Sequence, residues 1–102
     1  MMKQAVLSES EVLDALSATD GPAWHLIGGK LIKTVVCATF GDALAFVLEV
    51  GRLAEEKNHH PDIDIRYNRV TLGLITHDSG GITRLDLDVA RAIDELGPGI
   101  SV

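Results

Sequence analysis

Residues 39–77 read TFGDALAFVLEVGRLAEEKNHHPDIDIRYNRVTLGLITH, and the hydrophobic period changes inside that stretch. From Gly41 to Lys57 the apolar side chains Ala43, Phe46, Val47, Val50 and Ala54 recur at helical spacing, which predicts one long helix facing a core. Thr39, three residues ahead of Asp42, is a helix-start signature. After Pro61 the period drops to two: Ile63, Ile65 and Tyr67 alternate with Asp62, Asp64, Arg66 and Asn68. That alternation predicts a half-buried strand. Asn68-Arg69 is expected to turn the chain into a second strand, Val70 to Thr76, with Val70, Leu72 and Leu74 on one face.

The flanks repeat the same vocabulary. Trp24 to Ile27 and Leu31 to Ala38 read as two strands around the turn signal Gly28-Gly29. Ahead of them, Ser8-x-x-Glu11 opens a short helix with Val12, Leu13 and Leu16 inside, and Asp20-Gly21-Pro22 breaks the chain. Beyond the long stretch, Ser79-Gly80-Gly81 is a loop. Thr83-x-x-Asp86 starts the last helix, with Leu85, Val89, Ile93 and Leu96 on one side and Gly97-Pro98-Gly99 as its stop. The order α-β-β-α-β-β-α contains no βαβ unit. It predicts one α+β domain over residues 1–102, a four-stranded antiparallel sheet with three helices packed on one face.

Composition narrows the function. The chain has 102 residues and a formal charge of -6, so it lacks the basic balance of a nucleic-acid binder. Four aromatics (Trp24, Phe40, Phe46, Tyr67) are too few for a base-stacking platform. No apolar run reaches the about 18 residues of a membrane span. Met1 to Val6 leads straight into Ser8-Glu9-Ser10-Glu11, so neither a signal peptide nor a membrane role is expected, and a cytoplasmic location is. The single Cys37 sits in Val35-Val36-Cys37-Ala38 and reads as a buried, inert thiol. Leu44, Leu48 and Gly51 form a second stripe on the long helix, separate from the core-facing one, which suggests contact with another subunit.

Chemistry is concentrated in the histidines. His59 and His60 fall where the long helix ends, and His77 where the fourth strand ends, both loop positions held by rigid elements. Three imidazoles also raise a metal site, but adjacent residues in extended chain point apart, and no His-x-Glu or His-x-x-x-His spacing is present. Proton transfer near neutral pH suits them better. Glu55, four residues before His59, would lie on the same side if the helix continued that far, and could orient an imidazole or hold a ligand edge. As a helix end it could equally be a solvated carboxylate, as could Glu56. Asp86 is explained by a capping box with Thr83 alone. Trp24 reads as a core or rim residue, and His25 is assigned nothing.

Glu55-x-x-x-His59-His60-Pro61, Tyr67-Asn68-x-Val70, Thr76-His77 and Gly81-Ile82-Thr83-x-x-Asp86 together resemble the pterin-4a-carbinolamine dehydratase family. The resemblance extends to Trp24 and to Phe40, Ala43, Phe46 and Val50, covering roughly residues 22–96. Val35 and Cys37 stand where relatives often carry aromatics, and Asn58 where they often carry Asp. What the resemblance implies is a cytoplasmic dehydratase that removes water from a 4a-hydroxytetrahydropterin to give the quinonoid dihydropterin, with no metal and no cofactor. It implies that His59, His60 and His77 line the pterin pocket with Asp86 close by, and that Glu55 and the backbone around Asn58, Ile75, Thr76 and Asp78 hold the pterin. It also implies a homodimer or homotetramer. His59 and His77 are the expected acid/base pair, with His60 positioning the substrate. The alternative is a non-catalytic dehydratase-like partner protein, a coactivator or assembly factor.

Overall fold

The computed structural model describes residues 5–17, 24–96 and 100–101. Helix α1 spans Glu9–Ser17, strands β1 and β2 span His25–Ile27 and Lys30–Val36, and helix α2 spans Phe40–Lys57. Strands β3 and β4 follow at Asp62–Arg66 and Arg69–Leu74, then α3 at Arg84–Asp94 and β5 at Ile100–Ser101. All three helix-start signatures operate. Ser8 and Glu11 exchange side-chain to backbone bonds of 2.8 and 3.1 Å, Thr39 accepts from the Asp42 N–H at 3.0 Å, and Thr83 caps α3.

Antiparallel pairing runs β1-β2-β4-β3, with β5 adding a short ladder to β2 that the sequence did not announce. Strict alternation along β2 and β4 puts Leu31, Val35, Val70, Leu72 and Leu74 on one face. There they meet Val12 and Leu16 of α1, Ala43, Phe46 and Val50 of α2, and Leu87, Val89, Ala90 and Ile93 of α3. Lys33 faces the same core. It is tolerated because its Nζ pairs with Asp94 Oδ1 at 2.5 Å, and the Trp24 indole N–H donates to the same oxygen at 3.0 Å. The α+β architecture is the one expected, and Trp24 is a core residue.

Several local expectations are corrected. Strand ends move by one or two residues, and Trp24 lies outside β1. Leu13 is exposed, because α1 turns Val12 and Leu16 inward, with Ala15 beside them. The inner face of α3 is carried by Leu87 and Ala90 as well as Val89 and Ile93, while Leu85 and Leu96 are half-buried. The β3–β4 turn falls on Tyr67-Asn68, not Asn68-Arg69, since Arg66 pairs with Arg69. Tyr67 therefore leaves the strand, adopts φ 54° and is exposed. Ile63 and Ile65 point to the helix side but lie on an edge strand, so Ile63 is exposed and Ile65 half-buried. The breaks expected at Asp20-Gly21-Pro22 and Gly97-Pro98-Gly99 lie outside the described residues.

Candidate active site

The end of α2 decides where two histidines go. Asn58 takes the left-handed conformation (φ 50°, ψ 43°), which Asn tolerates better than most residues with a Cβ. Its N–H donates to Glu55 C=O at 3.2 Å, and the His59 N–H to Ala54 C=O at 3.0 Å. These two bonds form a Schellman termination, which satisfies the last carbonyls and swings the chain away from the helix axis. Helical spacing stops at Asn58. For that reason Glu55 is not the partner of His59: its carboxylate pairs with His60 Nε2 instead.

The register of the sheet brings the third histidine to the same end. Asp62 at the start of β3 pairs with Gly73 near the end of β4. The segments just before β3 and just after β4, carrying His59-His60 and Thr76-His77, therefore leave one edge of the sheet together. Thr76 and Gly81 then close a tight loop through bonds of 3.0 and 3.4 Å, with exposed His77 and Asp78 on it. Ile75, just before it, is half-buried against the core.

Asp86 ties this end together. Its carboxylate is 0% exposed at the first turn of α3, where the helix dipole favours negative charge. Oδ2 accepts from the Thr83 N–H at 2.9 Å, as the capping box requires, and from the Thr76 hydroxyl at 2.7 Å. Oδ1 lies 2.6 Å from His59 Nε2. Capping and ring orientation are thus performed by one carboxylate. The His59 side chain is 11% exposed and held, whereas His60 and Glu55 are at the surface. The capping pattern by itself does not announce the second job of Asp86, which the resemblance alone set beside the histidines, and neither announced the contact of the buried Thr76 and Thr83 hydroxyls, 2.7 Å apart. The spacing Thr76-x6-Thr83-x-x-Asp86 was the available signal, but nothing in a sequence reports that a loop closes over it.

A flat ligand bordered by His59, His60 and His77 would meet one ordered, partly shielded imidazole and two accessible ones, an arrangement suited to moving protons on and off heteroatoms. Among the described residues, no group of three or more His, Cys, Asp or Glu side chains is placed to hold a metal ion. His25 is exposed on β1, away from these segments in the chain. Cys37 is buried, and burial, with the charge of Asp42, pushes its thiol above the ordinary range.

Known proteins share this plan. The family described as pterin 4 alpha carbinolamine dehydratase matches residues 5–96. A protein of Chloroflexus aurantiacus, provisionally named a pterin-4-alpha-carbinolamine dehydratase, is 50% identical over 90 residues, 88% of this chain and 95% of the relative. One of Thermomicrobium roseum with the same provisional name is 53% identical over 75 residues, 74% of this chain and 81% of its own. The crystal structure of a transcriptional coactivator/pterin dehydratase from Brucella melitensis superposes with a TM-score of 0.79 at 34% identity, covering 87% of this chain and 95% of that one. With a match from the first helix to the last and half the residues identical to a relative of nearly equal span, the chain belongs to the pterin 4 alpha carbinolamine dehydratase family.

Proposed function

We propose that this protein dehydrates a 4a-hydroxytetrahydropterin by histidine acid–base catalysis. The observation that carries the reading is the buried Asp86 carboxylate 2.6 Å from His59 Nε2, which also accepts from Thr76, the chain neighbour of His77. A carbinolamine holds a hydroxyl and a ring nitrogen on one carbon. The nitrogen lone pair forms the C=N bond as the C–O bond breaks, so the enzyme must protonate the departing oxygen and accept one proton from the ring system. Water and the quinonoid dihydropterin are the products, and both proton balances close without metal or redox chemistry. His59 and His77 serve as the acid/base pair. His60, braced by Glu55, positions the pterin, with the Asn58 and Ile75–Asp78 backbone along its polar edge.

Direct measurement of carbinolamine dehydration by the purified protein tests this. Acceleration over the uncatalysed reaction is expected, and its absence sinks the reading. A second reading, a docking partner without catalysis, draws on the name of the Brucella protein and on Phe40, Leu44 and Leu48, which are exposed on α2. We assign that stripe to self-assembly as a homodimer or homotetramer: Gly51 continues it, and a groove lined by Val47, Leu48, Gly51, Leu53 and Leu96 runs beside it. Among the described residues no helix is long and apolar enough to cross a membrane, and a cytoplasmic location fits the proposed chemistry.

A further inference from the structure

We propose that Leu7 and Gly81 are positioning residues for His77: the N-terminal segment straps the loop that carries it, and Gly81 leaves the room for the strap. The proposal rests on the dehydratase reading for its kinetic consequence only. His77 is exposed on the Thr76–Gly81 loop, so its place is set by how the two legs of that loop are held. The outgoing leg continues β4 and is tied down by the Thr76 hydroxyl on Asp86 Oδ2 at 2.7 Å. The returning leg, Gly81-Ile82, is bonded twice. Gly81 C=O accepts from the Thr76 N–H at 3.0 Å, and Ile82 C=O from the Leu7 N–H at 2.8 Å. Successive carbonyls of an extended chain point to opposite sides, so the returning leg runs between Thr76 and the strap. The strap is itself anchored. Leu7 packs against the core, and Ser8 after it caps α1, whose Val12 and Leu16 are buried.

The two glycines of the loop differ in what they require. Gly80 holds φ 78°, a conformation that favours glycine, whereas Gly81 has no positive φ and could take a side chain as far as its backbone is concerned. Space is what forbids one. A Cβ on Gly81 would lie 2.8 Å from Val6 Cγ1 and 3.6 Å from Val6 Cγ2, and the three nearest heavy atoms all belong to Val6. Val6 is β-branched and stiff about χ1, and both its methyls flank the position. A side chain at Gly81 therefore pushes on the strap and works against the Leu7–Ile82 bond one residue along. With that bond broken, the returning leg is held on one side only, and His77 loses one of its two fixed ends.

The test pairs a clash with its relief. Gly81→Ala is expected to lower kcat for carbinolamine dehydration by about tenfold or more, on the scale of a misplaced catalytic group, with KM little changed. Val6→Ala removes both methyls and leaves its Cβ at 3.8 Å, an ordinary contact. The Gly81→Ala/Val6→Ala double variant should therefore return kcat to near the wild-type value, and Val6→Ala alone, which keeps the Leu7 bond, should match it. Wild-type kcat in Gly81→Ala, or a double variant as slow as the single one, overturns the proposal. Amide hydrogen exchange reads the strap without turnover. The Leu7 N–H is expected to be protected in the wild type, to exchange faster together with the Thr76 N–H in Gly81→Ala, and to recover in the double variant. A wild-type Leu7 amide that exchanges as fast as in a free peptide overturns the proposal, whether or not Gly81→Ala folds. Protection and recovery in a protein with no dehydratase activity would support the strap and strike only the assigned reaction.

Discussion

Removing the Asp86 carboxylate takes an acceptor from the His59 ring, the Thr76 hydroxyl and the Thr83 amide at once. Each buried donor left unpaired costs about 1–3 kcal/mol, so Asp86→Ala is expected to lower stability by about 3 kcal/mol or more in chemical denaturation. Asp86→Asn separates folding from function. Its amide oxygen can still take the two donors at Oδ2, but its NH2 then faces His59 Nε2 and forces the other tautomer. Near-native melting with dehydration slowed about 10²-fold or more is expected, and a fully active Asn variant would refute the orienting role. His59→Ala and His77→Ala should each cost about 10²-fold in turnover, while His60→Ala should act chiefly on KM; full activity of the His59→Ala/His77→Ala double variant would end the two-histidine scheme. Cys37 shows a different residue-scale effect. Its folded-state pKa is raised by burial, so the native state holds the proton longer than the unfolded chain. Stability from this source is present below the ordinary thiol range and is lost as pH rises through the raised value. Alkaline denaturation should be less steep in Cys37→Ala, and iodoacetamide should label the native thiol slowly at neutral pH.

Between α2 and β3 the chain relies on one backbone conformation. A β-branched residue at Asn58 would have to hold positive φ, at a cost of about 1–3 kcal/mol, so Asn58→Val should destabilise by that amount and Asn58→Gly should leave stability within about 1 kcal/mol. Urea midpoints check both, and equal midpoints for Val and Gly would show that the turn is not strained. The same turn shows where sequence reading succeeds and stops. The period of α2 and the capping patterns are local properties, and all three helices were legible from them. Two hairpins were legible too, because turn residues and alternation are local. The partner of Glu55 was not. An i,i+4 argument holds only while the helix lasts, and Asn58 ends it one residue before His59. Tyr67 was misplaced because alternation alone cannot tell a strand end from a turn. Leu13 and Leu85 were misplaced because helices at the rim of a small core bury fewer residues than their periodicity offers. That His59-His60 and His77 follow the ends of rigid elements was legible from spacing. The hydroxyl chain behind them depends on a loop closing over a helix start, which is a tertiary fact.

At the scale of the whole molecule, Leu44 and Leu48 are 46% and 58% exposed on a helix whose other side is the core. Pairing two copies through this stripe would bury both, and Gly51 would allow close approach at about 1 kcal/mol of helix propensity. Leu48→Glu places a charge in that contact and is expected to reduce the mass seen by light scattering; a wild-type monomer at micromolar concentration would refute the assembly. The strand order has its own consequence, in time. Each hairpin, β1–β2 and β3–β4, closes through a two-residue turn, which takes microseconds. The seam between them pairs Val36 with Arg69 and Leu31 with Leu74, across all of α2. Its closure entropy comes due before most core contacts form. The seam is therefore expected to form later than either hairpin, and a coiled α2, the helix that also presents the outward stripe, shortens the span that its closure must bridge.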